Sequence, residues 1–234
     1  MKIVSHPKKI QRYYKVGLYT SLGSLVLLFA AVGLTLAGQG KTDLTTFSFV
    51  AMILGLVLSQ IGVFFANRFG KSPRIDERIS QGLKGLDDRY VLYHYTSPVP
   101  HLLTGPSGVW VLVPQYQAGT ITFENNRYKQ RGVRLFSRVV GQEGITRPDM
   151  EAQGFCQDME KFIKKTDAPD QMPAIQSLIL FTNPKAVVQV QDSPIPTMHV
   201  EKLKDFIRRK AKEQPAEMVK IRAMQDLLPQ EDIS

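Results

Sequence analysis

A single cysteine, Cys156, excludes an intrachain disulfide and the thiolate clusters that hold structural zinc, which leaves burial on a helix face as its role. The four histidines, at positions 6, 94, 101 and 199, show no metal-ligand spacing. The most informative shortage is of charge. No Asp, Glu, Lys or Arg occurs from Val16 to Gly40 or from Leu44 to Asn67, and each stretch exceeds the ~20 residues with which an α-helix crosses ~30 Å of hydrocarbon. Two transmembrane helices are therefore expected within residues 16–67. The first stretch is longer than the roughly 7–15 residues of a signal-peptide core and a second follows at once, so cleavage is not expected. Spans without ionisable groups offer no ion or proton path, which makes the pair an anchor.

Charge is present at the borders. Lys2, Lys8, Lys9, Arg12 and Lys15 precede the first span without one acid, and Arg68, Lys71 and Arg74 follow the second, whereas beyond Arg74 the signs nearly cancel. The loop between the spans holds only Lys41 and Asp43. By the positive-inside rule, a multi-pass protein of the cell membrane with both termini and the whole soluble part in the cytoplasm is expected. Within the spans Ala51, Gly55 and Ser59 recur every fourth residue, as do Gly33 and Ala37. Small residues at that spacing let two helices approach closely, inside the hairpin or between copies of the chain in an oligomer. Gly38-Gln39-Gly40-Lys41-Thr42 imitates the end of a phosphate-binding loop, but the required first glycine falls on Thr35 and no strand precedes it, so nucleotide is not expected there.

The remainder reads as alternating helix and strand. After a basic cytoplasmic segment at 1–15, the spans and a basic linker at 68–74, Ile75, Ile79, Leu83 and Leu86 mark one face of a helix. Residues 90–95 suit a first strand. Residues 101–104 and 109–113 flank the turn chemistry of Gly105-Pro106-Ser107-Gly108, and the second run is apolar on both faces, as in a central strand of a layered α/β domain. Further strands are expected at 120–124 and around 133–140, joined by Asn125-Asn126, and at 177–182 and 187–190. Helices are expected at 147–165, with Met150, Phe155, Met159, Phe162 and Ile163 inward, at 200–211, with Leu203, Phe206 and Ile207 inward, and more weakly at 216–228. One cytosolic α/β domain thus occupies 75–214, with a last helix and tail at 215–234. Arg127, Lys129, Arg131, Arg134 and Arg138 form its one local cluster of cations, either a solvated strand face or contacts to phosphates of nucleic acid or anionic lipid. Only Tyr128 and Phe136 interleave them as aromatics.

The central hairpin resembles the nuclease-related domain (NERD) family, a branch of the PD-(D/E)xK nuclease fold. In that family a segment ending in Ile-Asp-His enters one strand, a Gly-Pro-x-Gly-Val turn follows, and the next strand closes on Glu-x-Lys with a glycine a few residues later. Here His101, Gly105-Pro106-Ser107-Gly108-Val109 and Gly119 match that frame, and Glu77 matches an acid on the family's first helix. The likeness covers roughly residues 74–125. The family's Asp, however, falls on Pro100, its Glu on Val113 and its Lys on Gln115.

The resemblance implies a restriction-endonuclease-like mixed sheet with flanking helices behind the membrane hairpin. Magnesium takes hard oxygen ligands, which Pro100 and Val113 lack, and the neutral amide of Gln115 cannot carry a lysine's charge. The expectation is therefore a membrane-anchored, catalytically inactive nuclease-like module that binds or scaffolds, with no cofactor and an unidentified protein partner. Two alternatives stand beside it. One is a Mg²⁺- or Mn²⁺-dependent nuclease with ligands migrated to Glu77, Glu124 or Asp149, and the other a domain that lies on anionic lipid.

Overall fold

A computed structural model describes residues 1–38, 42–70, 72–132, 144–166 and 172–233. The chain divides into two units, Lys9–Arg74 and the combination of Met1–Lys8 with Ile75–Ser234.

The first unit is a pair of helices, α1 (Pro7–Ala37) and α2 (Thr42–Phe65), the second ending in a π turn at Ala66–Gly70. Both helices are long and apolar enough to cross a membrane. Pro7 opens α1, where its missing N–H would be unpaired anyway, so Lys8, Lys9, Arg12 and Lys15 ride on the first turns of the helix rather than on a separate segment. The buried positions repeat every seventh residue: Ile10, Gly17, Ser24 and Ala31 on α1 and Ser48, Gly55 and Gly62 on α2. That period is the signature of two helices packed along a left-handed seam. A Cβ on Gly17 would stand 2.8 Å from Cβ of Phe65, and one on Gly55 2.9 Å from the Leu28 side chain. Of the expected stripe of small residues, Gly55 lies in the seam and Ala51 and Ser59 are half-buried, whereas Gly33 and Ala37 are exposed, with open space where a Cβ of Gly33 would be. Within the hairpin the seam on α1 is thus lined by Gly17, Ser24 and Ala31 and not by Gly33 and Ala37.

The second unit is built on a six-stranded sheet in the order β1-β2-β3-β4-β7-β9, from β1 (Lys2–Ser5), β2 (Val91–His94), β3 (His101–Gly105), β4 (Gly108–Gln115), β7 (Ile175–Phe181) and β9 (Thr197–His199). A three-stranded sheet, β6-β5-β8, combines β5 (Gly119–Glu124), β6 (Arg127–Arg131) and β8 (Ala186–Gln189). Val109, Val111, Val113, Ile179 and Phe181 pack on one face of the large sheet, together with Ala152, Met159 and Ile163 of α4 (Pro148–Ile163) and Ile221 and Met224 of α6 (Met218–Asp226). Trp110, Leu112, Leu178 and Leu180 pack on the other face, against Ile75 and Ile79 of α3 (Ile75–Gly82) and Leu203, Phe206 and Ile207 of α5 (Leu203–Glu213). The two-sided apolar pattern of β4 therefore marks a central strand between two helical layers.

Four elements differ from expectation, one of them the edge strand β9, for which no strand was expected. β1 lies inside the segment read as a basic terminus, and pairs in parallel with β2. The partner of β5 begins directly after Asn125-Asn126, whose φ angles of 53° and 57° close a two-residue hairpin, while residues 133–140 lie outside the described ones. On α4, Met150 is exposed and Ala152 fully buried, so the inward stripe starts two residues later than its apolar residues suggest.

Candidate functional site

Strands β1, β2, β4, β7 and β9 run one way and β3 alone runs against them. Their carboxyl ends and the start of β3 therefore share one edge, the side on which open α/β sheets usually hold ligands. The buried polar residues His94, His101, Gln115, Thr182 and Asn183 all lie at it. Tyr95, just past β2, adopts φ 62°, and its N–H donates to the Pro100 carbonyl at 2.8 Å, closing the loop that leads into β3. A left-handed tyrosine is a strained conformation that the surroundings must hold.

The β3–β4 ladder pairs Leu102 with Val111 and Leu103 with Trp110. Pro100 stands in the bend directly ahead of β3, one residue before its first strand position. Gln115 follows Val113 on the same face of β4, because side chains alternate along a strand. Glu77 is carried on α3, which packs on the other face of the sheet. Val113 is completely buried. Gln115 Nε2 donates to Oε2 of Glu151 at 2.9 Å, which brings to this face a carboxylate that the sequence reading missed. Glu151 stands one turn ahead of half-buried Phe155, so the correct phase of α4 would have found it.

On the α3 side of the edge, Ser80 Oγ lies 2.9 Å from His94 Nε2, and His94 Nδ1 lies 2.8 Å from His101 Nδ1. One imidazole must supply the N–H and the other the lone pair. Burial, and then the neighbouring His94, push the His101 pKa well below its ordinary value, so its ring is held neutral. The order serine, histidine, orienting group is that of a hydrolytic triad. Ser80 lies within α3, however, where the amides beside it are taken up by the helix. Nearby, Arg78 Nη1 donates to the Thr182 carbonyl at 3.3 Å, Asn183 Nδ2 donates to the Tyr116 carbonyl at 3.0 Å, and His199 Nε2 lies 3.1 Å from the Asn183 carbonyl. These bonds tie α3, β4, β7 and β9 together at the edge.

The other candidate acids are engaged elsewhere. Arg147 binds Asp149 in a two-pronged pair, the shortest contact 2.6 Å, which holds that carboxyl below its usual range. Glu124 accepts from Lys129 at 3.0 Å and from Arg131 at 3.2 Å, and Lys129 foremost lowers its pKa. Of the expected cationic cluster, Lys129 and Arg131 thus share one carboxylate, Arg127 is exposed at the hairpin tip, and Arg134 and Arg138 lie outside the described residues. Among the described residues, no three His, Cys, Asp or Glu side chains converge on a metal-sized space. Cys156 is half-buried on α4, and burial raises its thiol pKa, as suits a packing residue. Compared with models of protein families, with curated proteins and with solved structures, the chain matches none of them.

Proposed function

We propose that the chain is a membrane-anchored, nuclease-like module of the NERD type that binds or scaffolds in the cytosol without cutting nucleic acid. The observation that carries this reading is the face of β4 that holds Val113 and Gln115. Where the resemblance would set a Glu and a Lys toward a metal and a phosphate, this face offers a buried aliphatic side chain and an amide already bonded to Glu151, and the position of the Asp is a proline. The alternation of one antiparallel strand within an otherwise parallel sheet, with α3 ahead of β2 and α4 ahead of β7, supports the fold part of the reading. The cations of α1 and of the π turn support its cytoplasmic placement by the positive-inside rule.

Glu151 favours one second reading, a nuclease whose carboxylate has moved from β4 to α4. The test uses the full chain in lipid nanodiscs with Mg²⁺ or Mn²⁺ and end-labelled duplex DNA and single-stranded RNA. The module reading expects no cleavage above a no-protein control. Metal-dependent cleavage that Glu151→Gln abolishes would overturn it in favour of the migrated carboxylate.

A further inference from the structure

We infer that the helical hairpin is an insertion within the folded domain, and that the sheet closes only when both helices have crossed the membrane, so that pairing of β1 reads out correct insertion. β1 precedes the hairpin in the chain, yet it is an integral strand. Lys2, Ile3, Val4 and Ser5 pair in parallel with Val91, Leu92, Tyr93 and His94. Val4 is fully buried in the same cluster as Tyr93 and Leu102. From the far end of the chain, Ile233 N donates to the Ser5 carbonyl at 3.0 Å, and Asp232 Oδ1 accepts from Ser5 N at 2.6 Å. Segments that follow the hairpin therefore hold the one that precedes it.

Parallel strands need a crossover connection, ordinarily one helix laid on the sheet. Here the crossover contains α1 and α2. Neighbouring strands lie about 4.8 Å apart, so residues 2–5 and 91–94 cannot stand on opposite sides of ~30 Å of hydrocarbon. An even number of crossings is required. A chain in which only α1 inserts strands β1 on the wrong side, leaves the slot of Val4 empty and exposes the outer edge of β2, an edge that invites aggregation. The side assignment rests on the membrane reading above, whereas the strand closure stands without it.

The test is a disulfide trap in native membranes, with Cys156→Ser in the full chain and a protease site inserted between residues 39 and 41. Oxidation of Lys2→Cys with Val91→Cys should hold the two fragments together until reduction, while Ser5→Cys with Val91→Cys, about 10 Å apart along the strands, should not. Interrupting α2 with Leu54→Arg, Leu56→Arg and Leu58→Arg, with α1 still resisting alkaline extraction, should lower the trapped fraction at least tenfold. If that variant is degraded, Val4→Asp with an intact hairpin provides the converse, an inserted chain that loses the trap and is cut faster beyond residue 70. No trap in the native, alkali-resistant chain, or an undiminished trap in the interrupted one, overturns the inference. A chain that forms the trap but washes out with alkali refutes the membrane reading and the insertion read-out with it, and leaves only the strand closure.

Discussion

Gln115 on β4 and Glu151 on α4 are joined by a 2.9 Å hydrogen bond from the amide to the carboxylate, on the sheet face where Val113 also lies. A neutral group thus steadies a charge. Gln115 is buried and Glu151 half-buried, and a hydrogen bond to a charged group contributes roughly 1.5–3 kcal/mol when well shielded. Gln115→Ala should therefore cost about 1–2 kcal/mol, a fall of a few degrees in the melting temperature of the full chain in detergent. Glu151→Gln keeps a partner for the amide and should cost less. Equal losses from both substitutions would mean that packing, and not this bond, carries the effect.

The buried imidazole pair gives the domain an acid-sensitive point. His101 is held neutral in the fold, with its pKa well below 6.5, whereas in the unfolded chain it titrates near that value. Between the two pKa values the unfolded state binds the additional proton, so stability rises with pH there. The contribution is complete above about pH 6.5 and is lost as pH falls below it, by up to ~1.4 kcal/mol per pH unit. Urea melts of the full chain at pH 7.5 and 5.5 should show that loss, and His101→Gln, which does not titrate, should flatten it. An unchanged slope in His101→Gln would assign the acid sensitivity to other groups.

The order of helix and strand in the second unit was largely legible because β4 and β7 are apolar on both faces and α3 and α5 carry one apolar stripe each. β1 was not, since four residues ahead of a basic run and an apolar span carry no pattern of their own. Its structure comes from the open edge of β2, which is distant in sequence. The same is true of the site. Pro100, Val113 and Gln115 could be named from the turn between them, but Glu151 depends on the phase of α4, which exposed Met150 disguises. The seam residues Gly17, Ser24 and Ala31 were not legible because a seam between two helices repeats every seventh residue, whereas the reading followed a spacing of four.

The hairpin turn at Asn125-Asn126 offers a test of local chemistry. Both residues sit at positive φ, which costs an L-residue roughly 1 kcal/mol, less for asparagine. Asn126→Gly should hold or raise stability by up to about 1 kcal/mol, as Asn-Gly is the preferred pair for such turns. Asn125→Val should lower it, since a β-branched residue tolerates that conformation poorly. Thermal melts that rank the two variants in the reverse order would show that the turn rearranges in solution.

Phosphate contacts through the same hairpin should be governed by Glu124. Its carboxylate draws on both Lys129 and Arg131, while Arg127 is exposed at the tip. Arg127→Ala should weaken binding of the full chain to a labelled duplex at low salt several-fold. Glu124→Gln should strengthen it by freeing two cations, and both effects should fade as salt rises, because phosphate contacts release counterions. Binding that ignores Glu124→Gln would place any polyanion site elsewhere.

The nuclease-like frame itself can be tested by restoring its missing groups as Pro100→Asp, Val113→Glu and Gln115→Lys. Val113 is completely enclosed by apolar neighbours, so Val113→Glu alone must bury an unpaired carboxylate or take up a proton. That substitution should destabilise the domain by more than about 3 kcal/mol. Adding Gln115→Lys should recover part of the loss, since its ammonium would stand two residues along the same face, with Glu151 as a further partner. If the resemblance aligns these positions, adding Pro100→Asp sets two carboxylates against one another, a repulsion that only a cation relieves. The triple variant should then melt higher in Mn²⁺ than in chelator, by roughly 2.7 kcal/mol of stabilisation at a metal concentration one hundred times the dissociation constant. No single variant should respond, because one carboxylate leaves the ion mostly to water. Circular dichroism of the metal-free triple variant comes first, so that an unfolded chain is not counted as a negative. A folded triple variant whose melting ignores Mn²⁺ would mean that these three positions do not converge as the resemblance implies.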